Sequence, residues 1–276
     1  MLEFVHRYFG VPYPMSVYRD HESAQTDATV VFLHGIGNSG ATWDKVTAKL
    51  PRTLRTISVD LIGFGNSPKP KWARYDVKMQ VRALHRTLIG IGVRGPIILV
   101  GHSLGTIIAV EYAKRHRSGV QALVLCSPPF YEYSDIETPG LRRREDDLLK
   151  QLYDKIVIMD HQRLGRLATV ATKSRIMRPE FTISEEGSAA FVQTLSASII
   201  QQTSLKDALE LELPVHVIAG VLDPLIVTRN LTRLKKENQS VSLTMVPSGH
   251  DIRGVFIGAV ANKIVSVVDK LQEKRR

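Results

Sequence analysis

The stretch Ile97-Ile-Leu-Val-Gly101-His102-Ser103-Leu104-Gly105 decides how this chain folds. From Pro96 to Val100 it is apolar throughout, as a central parallel strand must be when helices cover both its faces. A Gly-X-Ser-X-Gly turn follows, and residues Thr106 to His116 then have the composition of a helix. A serine hydroxyl is a poor nucleophile at neutral pH and needs rigid exposure beside a base. A sharp strand-to-helix turn strains the backbone at Ser103 and lifts its Oγ clear of the sheet. Gly101 and Gly105 leave room for neighbouring backbone, and the amides of the next helix favour a negative oxygen there. A bare Gly-X-Ser-X-Gly arises by chance. Between an apolar strand and a helix it points to a nucleophile.

Outward from this turn, short apolar runs alternate with helical patterns. Thr29 to Leu33 reads as a strand that enters His34-Gly-Ile-Gly37, with a helix expected near Trp43 to Leu50. Arg55 to Val59 leads to Asp60 and the turn Gly63-Phe-Gly65. Val77, Val81, Leu84, Leu88 and Ile91 form one stripe of a helix capped by Asp76. Ala122 to Cys126, Pro214 to Ile218 and Val241 to Val246 read as strands, and Val260, Ile264, Val267 and Leu271 mark a last helix. This alternation predicts βα units and a largely parallel sheet. Between about Ser127 and Leu209 the rhythm breaks. Leu148, Leu149, Leu152 and Ile156 mark one helix there, and Ala190, Phe191, Leu195 and Ile199 another. The expected organisation is a core of residues 1–126 and 210–276 carrying a helical insertion, 127–209.

Composition narrows the function. The chain has 276 residues, enough for one core domain with an insertion. Its net charge of +10 comes from 37 basic and 27 acidic residues, but the Lys and Arg are scattered. Only Arg142-Arg143-Arg144 and Lys274-Arg275-Arg276 form runs, and Glu145, Asp146 and Asp147 follow the first, which reads as a solvated helix face. No nucleic-acid motif accompanies them, so no nucleic-acid partner is expected. The single cysteine, Cys126, lies in an apolar strand and reads as a core thiol. There is no His-Glu-x-x-His and no Cys/His cluster, so neither metal nor cofactor is expected. No window holds the ~18 apolar residues of a membrane span. Met1 to Gly10 carries Glu3, His6 and Arg7 and lacks a signal-peptide core, so a cytoplasmic location is expected.

Four segments together resemble the α/β-hydrolase superfamily, in its capped esterase and C–C-hydrolase-like branch. They are His34 to Gly37, Asp60-Leu-Ile-Gly-Phe-Gly-Asn-Ser67, Gly101 to Gly105, and Ser248-Gly-His250. The resemblance covers nearly the whole chain outside the insertion. It implies an eight-stranded, mostly parallel sheet flanked by helices, and a triad in the chain order Ser, acid, His.

The resemblance places the base after the last strand, at His250. His102 sits in the elbow with its side chain expected to point away from Ser103. His34 reads as a turn-stabilising residue, His85 as a partly exposed neighbour of its helix stripe, and His216 as a packing histidine. His161, in the insertion, is a lesser candidate facing substrate. The acid should follow the penultimate strand, at Asp223 in Gly220-Val-Leu-Asp-Pro224, where it would hold the imidazole's tautomer. A loop Asp capping its own turn is the plainer reading of that residue. Asp251 is a rival, but adjacent side chains rarely achieve triad geometry. Asp60 resembles a structural aspartate. The expected oxyanion donors are the backbone N–H groups of Leu104 and, by resemblance, Ile36.

These residues imply a serine hydrolase acting on a small-molecule ester through an acyl-enzyme. The insertion would close over the elbow as a cap, with Phe130, Tyr131, Tyr133, Leu152 and Phe191 either lining the pocket or belonging to the core. Trp43 carries the same ambiguity. C–C hydrolases, cofactor-free perhydrolases and acyltransferases share the triad. Ser103 argues against dehalogenase and epoxide-hydrolase chemistry, whose elbows carry Asp. A non-catalytic receptor on the same fold is the alternative of another class.

Overall fold

A computed structural model describes residues 2–23, 28–132, 145–160, 163–166, 169–170 and 185–273. Seven strands form one sheet: β1 (Ser16–His21), β2 (Thr29–Leu33), β3 (Arg55–Asp60), β4 (Ile97–His102), β5 (Val120–Cys126), β6 (Val215–Gly220) and β7 (Val241–Val246). Their order is β1-β3-β2-β4-β5-β6-β7. All neighbours are parallel except β1, which pairs antiparallel with β3 at the edge.

The expected eight strands are therefore seven among the described residues. The chain before β1 forms a short helix, Leu2–Tyr8, and then meets Pro12 and Pro14, which have no N–H to give a ladder.

Alternate residues of the central strands fill two layers. Val31, Leu33, Leu99, Leu123 and Leu125 face the helices Val77–Gly90 and Leu104–Arg115. Val30, Phe32, Ile98, Val100, Ala122 and Val124 face Trp43, Val46 and the helix Val255–Glu273. Trp43 is thus a core residue, its ring 5.1 Å from that of Phe32. The Val77–Gly90 helix starts where Asp76 accepts the Met79 N–H at 2.8 Å. That cap satisfies one of the orphan donors of the first turn.

Helices Glu145–Val157, Glu185–Thr194 and Ser204–Leu209 lie between β5 and β6, and the second continues as a π-helical turn, Leu195–Ile200. Phe130, Tyr131, Tyr153, Phe191, Leu195 and Ile199 are buried in one cluster with the sheet's first layer, whereas Leu152 is exposed. Tyr133 and Arg142 to Arg144 lie outside the described residues.

Asp146 departs from its expected solvated face. It is fully buried and takes hydrogen bonds from Arg229 Nη2 (2.8 Å), Asn230 Nδ2 (2.7 Å) and the Glu132 N–H (2.8 Å). A carboxylate can enter the interior when its oxygens are satisfied in this way. No described helix is long and apolar enough to cross a membrane.

Candidate active site

The elbow begins where β4 ends. Ser103 has φ 50° and ψ −117°, a conformation that costs a non-glycine residue roughly 1–3 kcal/mol and persists only when its surroundings enforce it. The enforcement is visible. The Ser103 N–H donates to the Cys126 carbonyl of β5 (3.0 Å), and its own carbonyl accepts from the N–H (2.9 Å) and Oγ1 (2.6 Å) of Thr106. A Cβ on Gly101 would land on the Gly105 carbonyl, and one on Gly105 would land on the Leu33 carbonyl. Only glycine permits the helix to pass this close to β2 and β4. Burial of Cys126 pushes its thiol pKa up, so the neighbouring sulfur is an inert core group.

The loops after β6 and β7 bring Asp223 and His250 together. His250 Nδ1 lies 2.8 Å from Asp223 Oδ2, while the Leu225 N–H donates to Asp223 Oδ1 at 2.9 Å. The two loops are stitched by the Val221 N–H to the Val246 carbonyl (2.9 Å) and the Leu222 N–H to the Ser248 carbonyl (3.0 Å). Burial alone would raise the Asp223 carboxyl. The hydrogen bond and charge of His250, the Leu225 N–H and the Ser127 hydroxyl outweigh it and hold the pKa below the ordinary carboxylate value. An ionised carboxylate can only accept, so Nδ1 carries a proton, and in the neutral ring the lone pair is on Nε2. It is Asp223, not the adjacent Asp251, that holds Nδ1.

His102 links this pair to the elbow, a role its sequence position did not disclose. Its Nε2 donates to the His250 carbonyl at 2.9 Å, and the two rings stand 4.9 Å apart. No hydrogen bond joins the imidazole of His250 to Ser103 Oγ. The His250 backbone is instead tied to the elbow through the residue that precedes Ser103.

The loop after β2 abuts the same point. A Cβ on Gly35 would sit 3.3 Å from Ser103 Cβ. His34, read as a turn-stabilising residue, is fully buried, and its Nε2 accepts the Leu61 N–H at 2.9 Å. Its proton must therefore be on Nδ1, which donates to the Gly35 carbonyl at 2.7 Å. Burial lowers its pKa to about 4, against the opposing effects of that bond and of Asp60, so the ring stays neutral. The Gly35 carbonyl belongs to the same planar unit as the Ile36 N–H. Fixing one end aims the other. Asp60 serves as a turn anchor, accepting from the N–H groups of Gly40 (2.7 Å) and Asn66 (2.8 Å).

His85 and His216 have partners elsewhere. His85 stacks on His116 at 4.1 Å, and His216 bonds Ser242 Oγ at 2.6 Å. His161 lies outside the described residues. Ser127 was not singled out from the sequence, yet it is fully buried at φ 48°, its N–H bonded to the Ile218 carbonyl at 2.8 Å. A polar residue at the end of an apolar strand carries no pattern that would reveal it.

Residues 28–252 match the family model of the alpha/beta hydrolase fold, so the chain belongs to that family. It is 31% identical over 119 residues to a probable lysophospholipase, BODYGUARD 2 of Arabidopsis thaliana, a match covering 41% of this chain and 25% of that protein. It is 35% identical over 104 residues to an uncharacterized protein of Mycobacterium tuberculosis, covering 38% and 30%. The matches thus span less than a third of these relatives. Among solved structures, an esterase from Exiguobacterium antarcticum superposes with TM-score 0.73 at 20% identity, covering 92% of this chain and 96% of that one. MenH from S. aureus superposes with TM-score 0.72 at 19% identity, covering 94% and 100%. At these identities the superpositions show the fold alone.

Proposed function

We propose that the chain is a serine hydrolase that cleaves a small, partly hydrophobic carboxylic ester through an acyl-enzyme on Ser103. The observation that carries this reading is the strained Ser103 elbow beside a 2.8 Å Asp223–His250 pair at the ends of adjacent strands.

His250 Nε2 takes the proton as Ser103 Oγ attacks the ester carbonyl. The new C–O bond pushes the carbonyl electrons onto oxygen, and the N–H groups of Ile36 and Leu104 receive that charge. Collapse of the intermediate breaks the bond to the alcohol, which leaves with the proton from His250. Water, deprotonated by His250, then attacks the acyl-enzyme, and Ser103 recovers its proton. Asp223 stabilises the imidazolium formed in each half.

The insertion, residues 127–209, acts as a cap over this site. C–C hydrolases, perhydrolases and acyltransferases share the triad. A substrate panel separates them: p-nitrophenyl esters of increasing chain length beside a vinylogous diketone, with Ser103→Ala as blank. Ester turnover that Ser103→Ala abolishes supports the proposal. Diketone cleavage without ester turnover replaces it.

A further inference from the structure

Two tyrosine hydroxyls stand at the acid loop without a part in the steps above. Tyr131 Oη lies 2.6 Å from the Leu225 carbonyl oxygen and 2.9 Å from Tyr153 Oη. A carbonyl oxygen only accepts, so Tyr131 commits its single proton to Leu225. Tyr153 must then be the donor to Tyr131. Leu225 in turn gives its N–H to Asp223 Oδ1 at 2.9 Å. A line of three hydrogen bonds thus runs from the Glu145–Val157 helix to the carboxylate that holds His250. Both rings are buried. Burial raises the Tyr153 pKa to about 12, with its bond to Tyr131 opposing and the charge of Asp223 adding, so it remains a donor at neutral pH.

The same helix grips the far side of the loop. Asp146, in its first turn, holds Arg229 and Asn230 at the start of the Thr228–Glu237 helix. Residues 223–227 are therefore bracketed by Tyr131, which this helix backs through Tyr153, and by Asp146 of the helix itself.

We infer that Tyr131 and Tyr153 are positioning residues for the catalytic acid. They fix Leu225, and through it the Asp223 carboxylate, so that seating of the insertion helix is a condition of turnover. The inference rests on the Ser103–Asp223–His250 reading. It assigns the insertion a task beyond enclosing substrate, because an unseated helix takes away the bond that backs Tyr131 and the anchor of Arg229 and Asn230.

The test compares Tyr131→Phe, Tyr153→Phe and Tyr112→Phe with the unaltered chain. Tyr112 is the control: it is equally buried, its hydroxyl bonds His85 at 3.1 Å, and it lies outside this line. The readouts are kcat and KM on p-nitrophenyl butyrate, the rate of Ser103 modification by a fluorophosphonate, and the melting temperature. Losing one net buried hydrogen bond from an oriented site should lower kcat about tenfold in Tyr131→Phe and about threefold in Tyr153→Phe. KM should stay within about twofold, and the fluorophosphonate rate should fall in step with kcat. Tyr112→Phe should keep the kcat of the unaltered chain.

If Tyr131→Phe and Tyr153→Phe match Tyr112→Phe in kcat while Ser103→Ala is inactive, the inference fails and the triad stands. A rise in KM alone also overturns it, since that marks contact with substrate. Turnover in Ser103→Ala removes the underlying reading itself. Should Tyr131→Phe fail to fold, Tyr153→Phe, which leaves the Tyr131–Leu225 bond in place, decides the matter.

Discussion

Asp223 keeps its charge where burial would ordinarily discharge it, and its donors explain why. Asp223→Asn retains the shape but gives up the charge and supplies an amide that favours the wrong imidazole tautomer. Its kcat should drop by about 10⁴-fold with KM little changed, as the same exchange does in other Ser-His-Asp hydrolases. Steady-state kinetics on a p-nitrophenyl ester checks this. The sign of the pH dependence follows from the depressed carboxyl. Its contribution to stability is complete above the ordinary carboxylate value and is lost only as pH falls through the lower folded value. The places of Ser103, Asp223 and His250 at strand ends were legible because each follows a strand of recognisable composition. His102 and Ser127 were not, because what they do depends on contacts with residues more than a hundred positions or a whole strand away.

Elements were legible in proportion to how much apolar surface they bury. β2 and β7 fall where the sequence places them, and Asp76 caps the helix its position announces. Replacing that cap, Asp76→Ala, should cost about 1 kcal/mol, seen as a lower urea midpoint with an unchanged slope. Gly105→Ala should be more damaging. Its Cβ meets the Leu33 backbone, which cannot move without disturbing β2, so a loss of at least about 1–3 kcal/mol is expected in the same measurement. β1 escaped notice because it is a half-exposed edge strand, Ser-Val-Tyr-Arg-Asp-His, with little apolar alternation. The Thr228–Glu237 helix escaped because it buries only Asn230, Leu231 and Leu234. The acidic run at Glu145 misled because a charge cluster normally faces water. Here one member, Asp146, finds its partners on another element.

Taken whole, the molecule holds two histidines neutral, His34 in its interior and His216 part-buried. Burial lowers both His34 and His216 to about 4, the latter helped by Lys263 and Lys270. A histidine whose folded pKa lies below its unfolded value of about 6.5 leaves the unfolded chain with the extra proton. Stability should therefore fall as pH drops from about 6.5 towards 4, by up to about 1.4 kcal/mol per pH unit for each histidine. Urea titrations at a series of pH values measure the slope. His216→Asn, which keeps a partner for Ser242, should flatten it by one histidine's share; an unchanged slope would count against the assignment. The central claim is that Ser103 is an activated nucleophile. Intact-mass analysis after incubation with a fluorophosphonate tests it most directly. One adduct, mapped to Ser103 and lost in Ser103→Ala, is the predicted result; an adduct that persists in that variant, or folded protein that takes up none, would contradict it.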